Sequence, residues 1–430
     1  MFAHCSLFLF CFVALSSSAL ADTTWPQWRG PQRNGHSEET GISTDWTAKT
    51  PKLQWMSEGM GRGYASVSVA DRVIYTTGNK SDGQNVIAVS AKDGSVIWSV
   101  AVTSESPQHG HSGSRCTPSI DGDYLYVVTS AGSIACLKRK DGEQVWQRKF
   151  SEWGGKMMSG WGFSESPLVD GDTVLCTPGG KDAMMVALDK KSGKEIWASA
   201  APADFGRTVG VNGKRLKPGA GYSSIVVSNA AGVKQYVQLT GQGVIGVRAS
   251  DGKLLWGYGE VANGTANIPT PICSGDYVFC SSGYKTGAAL LKLTKSGDSV
   301  AMDEEFFLEY KTFENHHGGM IQVGDYVYCG HAHNNGFPIC VEMKSGKIIW
   351  GGSIRGAGSG SAAVTFVDGH LIFRYQSGDV ALIEASPKGY NLKGSFMPDY
   401  QEGKSWAHPV VAGGYLFLRE QDKLMCYDIK

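Results

Sequence analysis

Seven of the ten histidines fall in four short polar stretches: His109-x-His111, His316-His317, His331-x-His333 and His408. On an extended segment alternate residues point the same way, so a His-x-His pair can aim two imidazoles at one transition metal. A working site needs a third ligand, and the sequence fixes no carboxylate or further histidine beside these pairs. His316, His317, His331 and His333 therefore stand as candidate metal ligands against a plainer reading as polar loop residues. The cysteines offer a second chemistry. Eight of the ten lie after residue 21, and an even number in an oxidising compartment invites disulfides. Catalytic signatures are otherwise missing: there is no Gly-x-Ser-x-Gly, His-Glu-x-x-His, phosphate-binding loop or haem-attaching Cys-x-x-Cys-His. Gly241-x-Gly243 reads as a turn, because no helical pattern follows it.

The elements that must hold these residues repeat along the chain. A small residue, a polar stretch with a Gly turn, and Trp recur as Ala88–Trp98, Cys136–Trp146, Ala187–Trp197, Gly246–Trp256 and Cys340–Trp350. Degenerate copies end near Ala301 and Lys393. Ahead of each copy, Asp-Gly-Asp or Gly-Asp opens a run of alternating aromatic and aliphatic residues, as in Asp121–Val128 and Gly324–Cys329. The glycines supply the positive φ of hairpin turns, and the runs between them have strand composition and length. Four antiparallel strands per unit, with Trp to Trp steps of 48 to 59 residues where copies adjoin, match the blades of a propeller. Seven units are complete, and an eighth from Trp406 runs out after three strands. Leu53-Gln54-Trp55 resembles the outer-strand phrase and can supply the fourth by pairing with Met425–Ile429, which removes two exposed edges. The expected fold is all-β: an eight-bladed propeller of four-stranded antiparallel blades over residues 51–430, closed by that N-terminal strand. Cys136, Cys340 and Cys426 then share one slot, and Cys176, Cys280 and Cys329 another, so equivalent cysteines lie too far apart to bridge. They read as small core fillers, with Cys329 and Cys340, on neighbouring strands, as the one plausible pair.

The run Ala187-x-Asp189-x-x-Ser192-Gly193-x-x-x-Trp197 resembles the tryptophan-docking motif of the pyrroloquinoline-quinone (PQQ) type repeat. Trp98, Trp146, Trp197, Trp256 and Trp350 are the docking residues on this reading. Trp25–Gly35 is similar to the opening of exported PQQ-like propellers of the planctomycete-type group. The resemblance implies one of two functions: a quinoprotein dehydrogenase, or a non-catalytic scaffold of the BamB type. The dehydrogenase branch binds PQQ beside Ca²⁺ held by carboxylate and amide ligands, with an Asp base and two adjacent cysteines. No Cys-Cys dipeptide occurs here. Register places Glu165 and Asn267 at suitable rim positions, which makes Glu165 the candidate catalytic carboxylate. Further channel-mouth candidates for ligand contact are Arg62, Tyr64, Arg115, Trp161, Tyr222, His317 and His408. The long loop from Ala198 to Gly221 carries Arg207, Lys214, Arg215 and Lys217 and is expected to overhang the same mouth.

Composition bounds the rest. With 40 basic and 40 acidic residues the formal net charge is zero, which offers no footprint for nucleic acid. Residues 7–15 form an apolar run too short to span a bilayer, followed by Ala19-Leu20-Ala21, so residues 1–21 read as a cleaved signal peptide. Residues 22–50 form an N-terminal extension, of which Trp25–Gly35 is expected to pack on the propeller's outside. The whole reads as a periplasmic or secreted monomer without a membrane span. The expected function is a non-catalytic scaffold binding an envelope protein, a peptide or a glycan, with no cofactor. The alternative is a PQQ- and calcium-dependent oxidoreductase of alcohols or sugars.

Overall fold

The computed structural model describes residues 24–107, 110–211 and 213–430. The expected signal peptide and His109 lie outside the described residues. Eight sheets follow one another round a ring. Their inner strands are Ser68–Ala70, Ser119–Asp121, Leu168–Asp170, Val226–Ser228, Ile272–Ser274, Asn315–Val323, Ala362–Val367 and Val410–Ala412, in blades one to eight. Within each blade consecutive strands pair antiparallel through hairpins, and a near-continuous apolar layer fills the space between neighbouring blades. Lys52–Ser57 pairs with Lys423–Asp428 as the outer strand of blade eight, placing Trp55 opposite Cys426. The ring closes where the sequence pattern puts it.

Docking explains the repeat. Each docking Trp lies opposite a small residue or Cys of its own third strand, as Ala88 faces Trp98 and Cys136 faces Trp146. The indole N–H of Trp55, Trp98, Trp146, Trp197 and Trp350 donates to a carbonyl of the next blade at 2.8–3.2 Å. Under the first four rings sit Gly94, Gly142, Gly193 and Gly252 of the next blade's turn, with φ between 68° and 75°, where a Cβ would come within 2.5–2.9 Å of the indole. Only glycine satisfies both the left-handed turn and the ring above it. Two slots depart from the sequence reading. Blade five is lengthened to strands Gly287–Ser296 and Ser299–Glu309, so Phe306, opposite Leu290, covers Gly346, and Ala301 lies further out opposite Thr294. Trp256 loses its turn glycine to that longer hairpin and donates instead to Gln235 of its own blade at 2.6 Å. In blade seven Gly394, next to Lys393, holds the slot, and the fully buried Trp46 of the N-terminal extension fills the space.

All eight described cysteines are free thiols, seven of them buried. Cys329 faces Ile339 and Cys340 faces Tyr328, so the two are out of register with one another.

Trp25–Gly35 does not pack outside. From Trp25 to Ser37 the extension runs through the central channel and bonds to the inner strands of six blades. Trp25 exchanges backbone bonds with Val69 in blade one, and the Pro26 carbonyl accepts from Ile120 in blade two. Arg33 donates to the Ser166 and Pro167 carbonyls at 2.7 and 3.0 Å leading into blade three, and Arg29 donates to Met320 in blade six. His36–Ser37 adds a parallel fifth strand to blade seven, and the Ser37 hydroxyl donates to Val411 in blade eight at 2.8 Å. Inner strands of a propeller leave edge groups facing the channel, and this segment satisfies them.

Candidate ligand site at the channel mouth

The threaded segment turns an open channel into a cup. Above it lies a cavity of ≈ 310 Å³ whose floor includes Trp28 and whose walls are aromatic. Trp406 is the hub: its ring packs 4.9 Å from Tyr64, 4.8 Å from His111 and 5.0 Å from His317, and its N–H donates to Gln376. Trp161 and Tyr222 stand opposite with ring centres 5.9 Å apart, and Tyr284 and His316 complete the wall.

Local sequence explains why these side chains converge. At blades one and two the chain runs Gly61-Arg62-Gly63-Tyr64 against Gly113-Ser114-Arg115. A Cβ on Gly63 would lie 2.5 Å from the Ser114 carbonyl, so glycine permits the approach that sets Arg115 5.4 Å over the Tyr64 ring. In blade six, His316-His317-Gly318-Gly319 forms a bulge between the pairs Asn315–His331 and Met320–Cys329. A Cβ on Gly318 would strike the Ala362 carbonyl, and the bulge swings both imidazoles toward the mouth.

The electrostatics are one-sided. Among the described residues no Asp or Glu lines the cavity. Arg115 is fixed by the carbonyls of Gly113, Trp161 and His111, with no carboxylate partner. Lys404 lies 4.9 Å over Trp406 at the rim. Beneath the floor, Arg29 and Arg33 flank Trp28 at 5.5 and 5.8 Å; burial lowers each guanidinium's pKa to about 10, so both stay charged at neutral pH. The histidines are neutral: burial pulls His317 and His408 down to about 3 and drives His316 further the same way. The Nε2 of His317 is buried without a hydrogen-bond partner.

Tyr64, Arg115, Trp161, Tyr222, His317 and His408 line the cavity. Glu165 does not. Strand alternation sends Ser164 into the cup and Glu165 into the wall. There it is 4% exposed and accepts from the Thr177 amide at 2.7 Å, the Thr177 hydroxyl at 3.1 Å and Gln238 at 3.4 Å. Burial raises its pKa to about 8. Asn267 is fully buried, its amide donating to the Thr240 and Gly241 carbonyls. The Arg62 side chain is exposed and off the cavity. Of the long loop, Arg207 pairs with Glu260 and only Lys214 reaches a neighbouring hollow. Of the four candidate metal ligands three gather, the His316 ring centre lying 4.5 Å from that of His317 and 3.9 Å from that of His333, while His331 packs on Phe313. Both nitrogens of His316 are engaged, by Ser361 at 2.6 Å and Tyr284 at 3.1 Å, while His331 accepts from the Glu314 amide. Among the described residues no group of three or more His, Cys, Asp or Glu is arranged for a metal ion. Sequence reasoning missed Trp28, Tyr284 and Lys404, which lie outside the inner-strand starts.

The family model described as outer membrane protein assembly factor BamB matches residues 37–157 and 82–352, well over half of the chain. The chain belongs to the PQQ-like propeller family. Among proteins of this repeat, the 1-butanol dehydrogenase (quinone) of Thauera butanivorans is 27% identical over 230 residues, 48% of this chain and 36% of that protein. The chain thus spans little more than a third of that relative. The quinohemoprotein alcohol dehydrogenase of Comamonas testosteroni superposes with a TM-score of 0.66 at 12% identity, over 95% of this chain and 80% of that one. The corresponding enzyme ADHIIG of Pseudomonas putida HK5 gives 0.60 at 13%, with the same coverage. At these identities the likeness shows the PQQ-like propeller fold alone.

The residues here do not fit the calcium-held quinone of the alternative expectation. Ca²⁺ takes six to eight oxygen ligands, carboxylates prominent among them. This PQQ-like cup has no carboxylate lining among the described residues, Glu165 is sealed in the wall, and the Asn267 amide faces the opposite way.

Proposed function

We propose that the protein is an exported, non-catalytic binding propeller whose ligand sits in the channel mouth and carries negative charge. The observation that supports this most is the charge pattern of the cup: aromatic walls, Arg115 and Lys404 above, Arg29 and Arg33 below, and, among the described residues, no carboxylate on the lining. Stacking surfaces with fixed cations select a flat or ring-shaped anion, and a cavity lined by one sign of charge concentrates it. The same features leave the cup without a carboxylate base among the described residues, since Glu165 does not reach it, and burial lowers the proton affinity of the histidines that line it.

The experiment is a titration of the purified protein with PQQ and simpler ring carboxylates, with and without calcium, followed by tryptophan fluorescence. Calcium-independent binding is expected, weakened about tenfold or more by Arg115→Ala, because hydrogen bonds to charged groups contribute about 1.5–3 kcal/mol. Calcium-dependent PQQ uptake with dye reduction, both lost in Glu165→Ala, would overturn the proposal in favour of the oxidoreductase.

A further inference from the structure

Beside the cup, over the rim hairpins of blades five and six, lies a second hollow of ≈ 630 Å³. The two are not separate. Tyr284 and His333 line both, their rings 4.5 Å apart, and the His333 Nδ1 accepts from the Tyr284 amide at 3.3 Å. This shared sill is held in place by strained backbone. Tyr284 and Lys285 sit at φ of 60° and 64°, and Ala332 and His333 at 61° and 50°, where side-chain-bearing residues are disfavoured and which native structures tolerate chiefly at ligand sites.

Beyond the sill the charge has the same sign as in the cup. Lys285 and Lys311 are exposed on its far side and form no ion pair among the described residues. Lys214 donates there to the Thr265 hydroxyl at 3.1 Å. The hollow's one carboxylate, Glu314, is 4% exposed and turned into the turn, where it accepts from the Lys285 amide at 2.9 Å. Tyr310 adds an aromatic wall.

Resting on the reading of the cup as an anion site, we infer that both hollows hold one elongated ligand, an acidic oligosaccharide that enters the cup at one end and crosses the Tyr284–His333 sill. Three features select this class. Cations lie at both ends of the tract and call for repeated negative groups. Aromatic faces alternate with hydroxyl and imidazole edges, here the Tyr222, Tyr284 and Ser164 hydroxyls and the free nitrogen of His317, which suits rings that are apolar on their faces and hydroxylated on their rims. An acidic peptide would dock best on an open strand edge, and six of the eight blades here are already bonded to the threaded segment.

The test compares galacturonic acid, tetragalacturonate, cellotetraose and hexaglutamate on the whole protein by calorimetry. Tetragalacturonate is expected to bind at least about tenfold more tightly than the monomer, since a second contact on a linked ligand multiplies affinity. The Lys285→Ala/Lys311→Ala variant, altered only on the surface, should remove that gain and leave monomer binding within about twofold, as those lysines contribute only to the tethered second contact. Arg115→Ala should weaken both, and cellotetraose should not bind. Equal affinity for monomer and tetramer, or a tetramer gain untouched by the lysine variant, overturns the extended tract while leaving the anionic cup standing. Hexaglutamate binding as tightly as tetragalacturonate overturns the sugar class. Failure of every anion, PQQ included, overturns both readings.

Discussion

Glu165 shows how one buried side chain couples to pH. Its carboxyl ordinarily titrates near 4.5, and burial in the wall of blade three raises that to about 8. Below pH 4.5 it is neutral in folded and unfolded chains alike. Between 4.5 and about 8 the folded chain holds a proton that the unfolded chain has lost, so stability falls as pH rises through this window and the loss is complete above it. Glu165→Gln has no proton to lose. Its urea midpoint should gain on the wild type between pH 5 and pH 8 and hold level at pH 9; a difference constant with pH would show that Glu165 is ionised throughout. Nothing but register announces this environment in the sequence. Ser164 and Glu165 are adjacent, and a single step of strand alternation decides which faces the cup. Tyr64, Arg115, Trp161 and Tyr222 were legible because they open inner strands, whereas Trp28 enters from outside the repeat and carries no periodic signal.

Between blades, stability comes from one recurring contact. The Trp197 ring, 9% exposed, rests on Gly252 and bonds to the Ala249 carbonyl, joining blades three and four. Trp197→Ala should cost about 3–5 kcal/mol, the range for removing a large aromatic that leaves a cavity. Gly252→Ala pushes a methyl into the same ring and an L-residue into a left-handed turn, so the double variant should fall well short of the sum. Additive urea midpoints would mean that the two residues do not act on one another. The five docking tryptophans were readable because turn, strand and ring keep fixed spacing. Phe306 was not, because blade five lengthens its outer hairpin and moves the docking position away from the spacing seen elsewhere. Trp46 was hidden for a different reason: it fills a blade-seven slot more than three hundred residues away, and nothing local announces such a partner.

Closure involves the ring as one body. Lys52–Ser57 supplies the outer strand of blade eight and Trp25–Ser37 the segment through the channel, so deleting residues 22–57 exposes two strand edges and strips six blades of inner partners. A chain lacking them should fail to unfold cooperatively and should aggregate. A melt as sharp and as hot as that of the intact protein would refute this. The eight-fold count and the closing strand were legible from the ragged ends of the repeat; the thread was not, since its partners are backbone groups common to every strand. That thread also sets an order of events. His36 pairs with Phe366, and Ser37 with Val411, so during synthesis these two residues wait for partners more than three hundred residues later. At about 5–20 residues per second the interval is on the order of tens of seconds, during which Trp25–Ser37 has no partner in blades seven and eight. In the finished ring that segment lies as an axle lies in a wheel, fastened by the two blades that are made last.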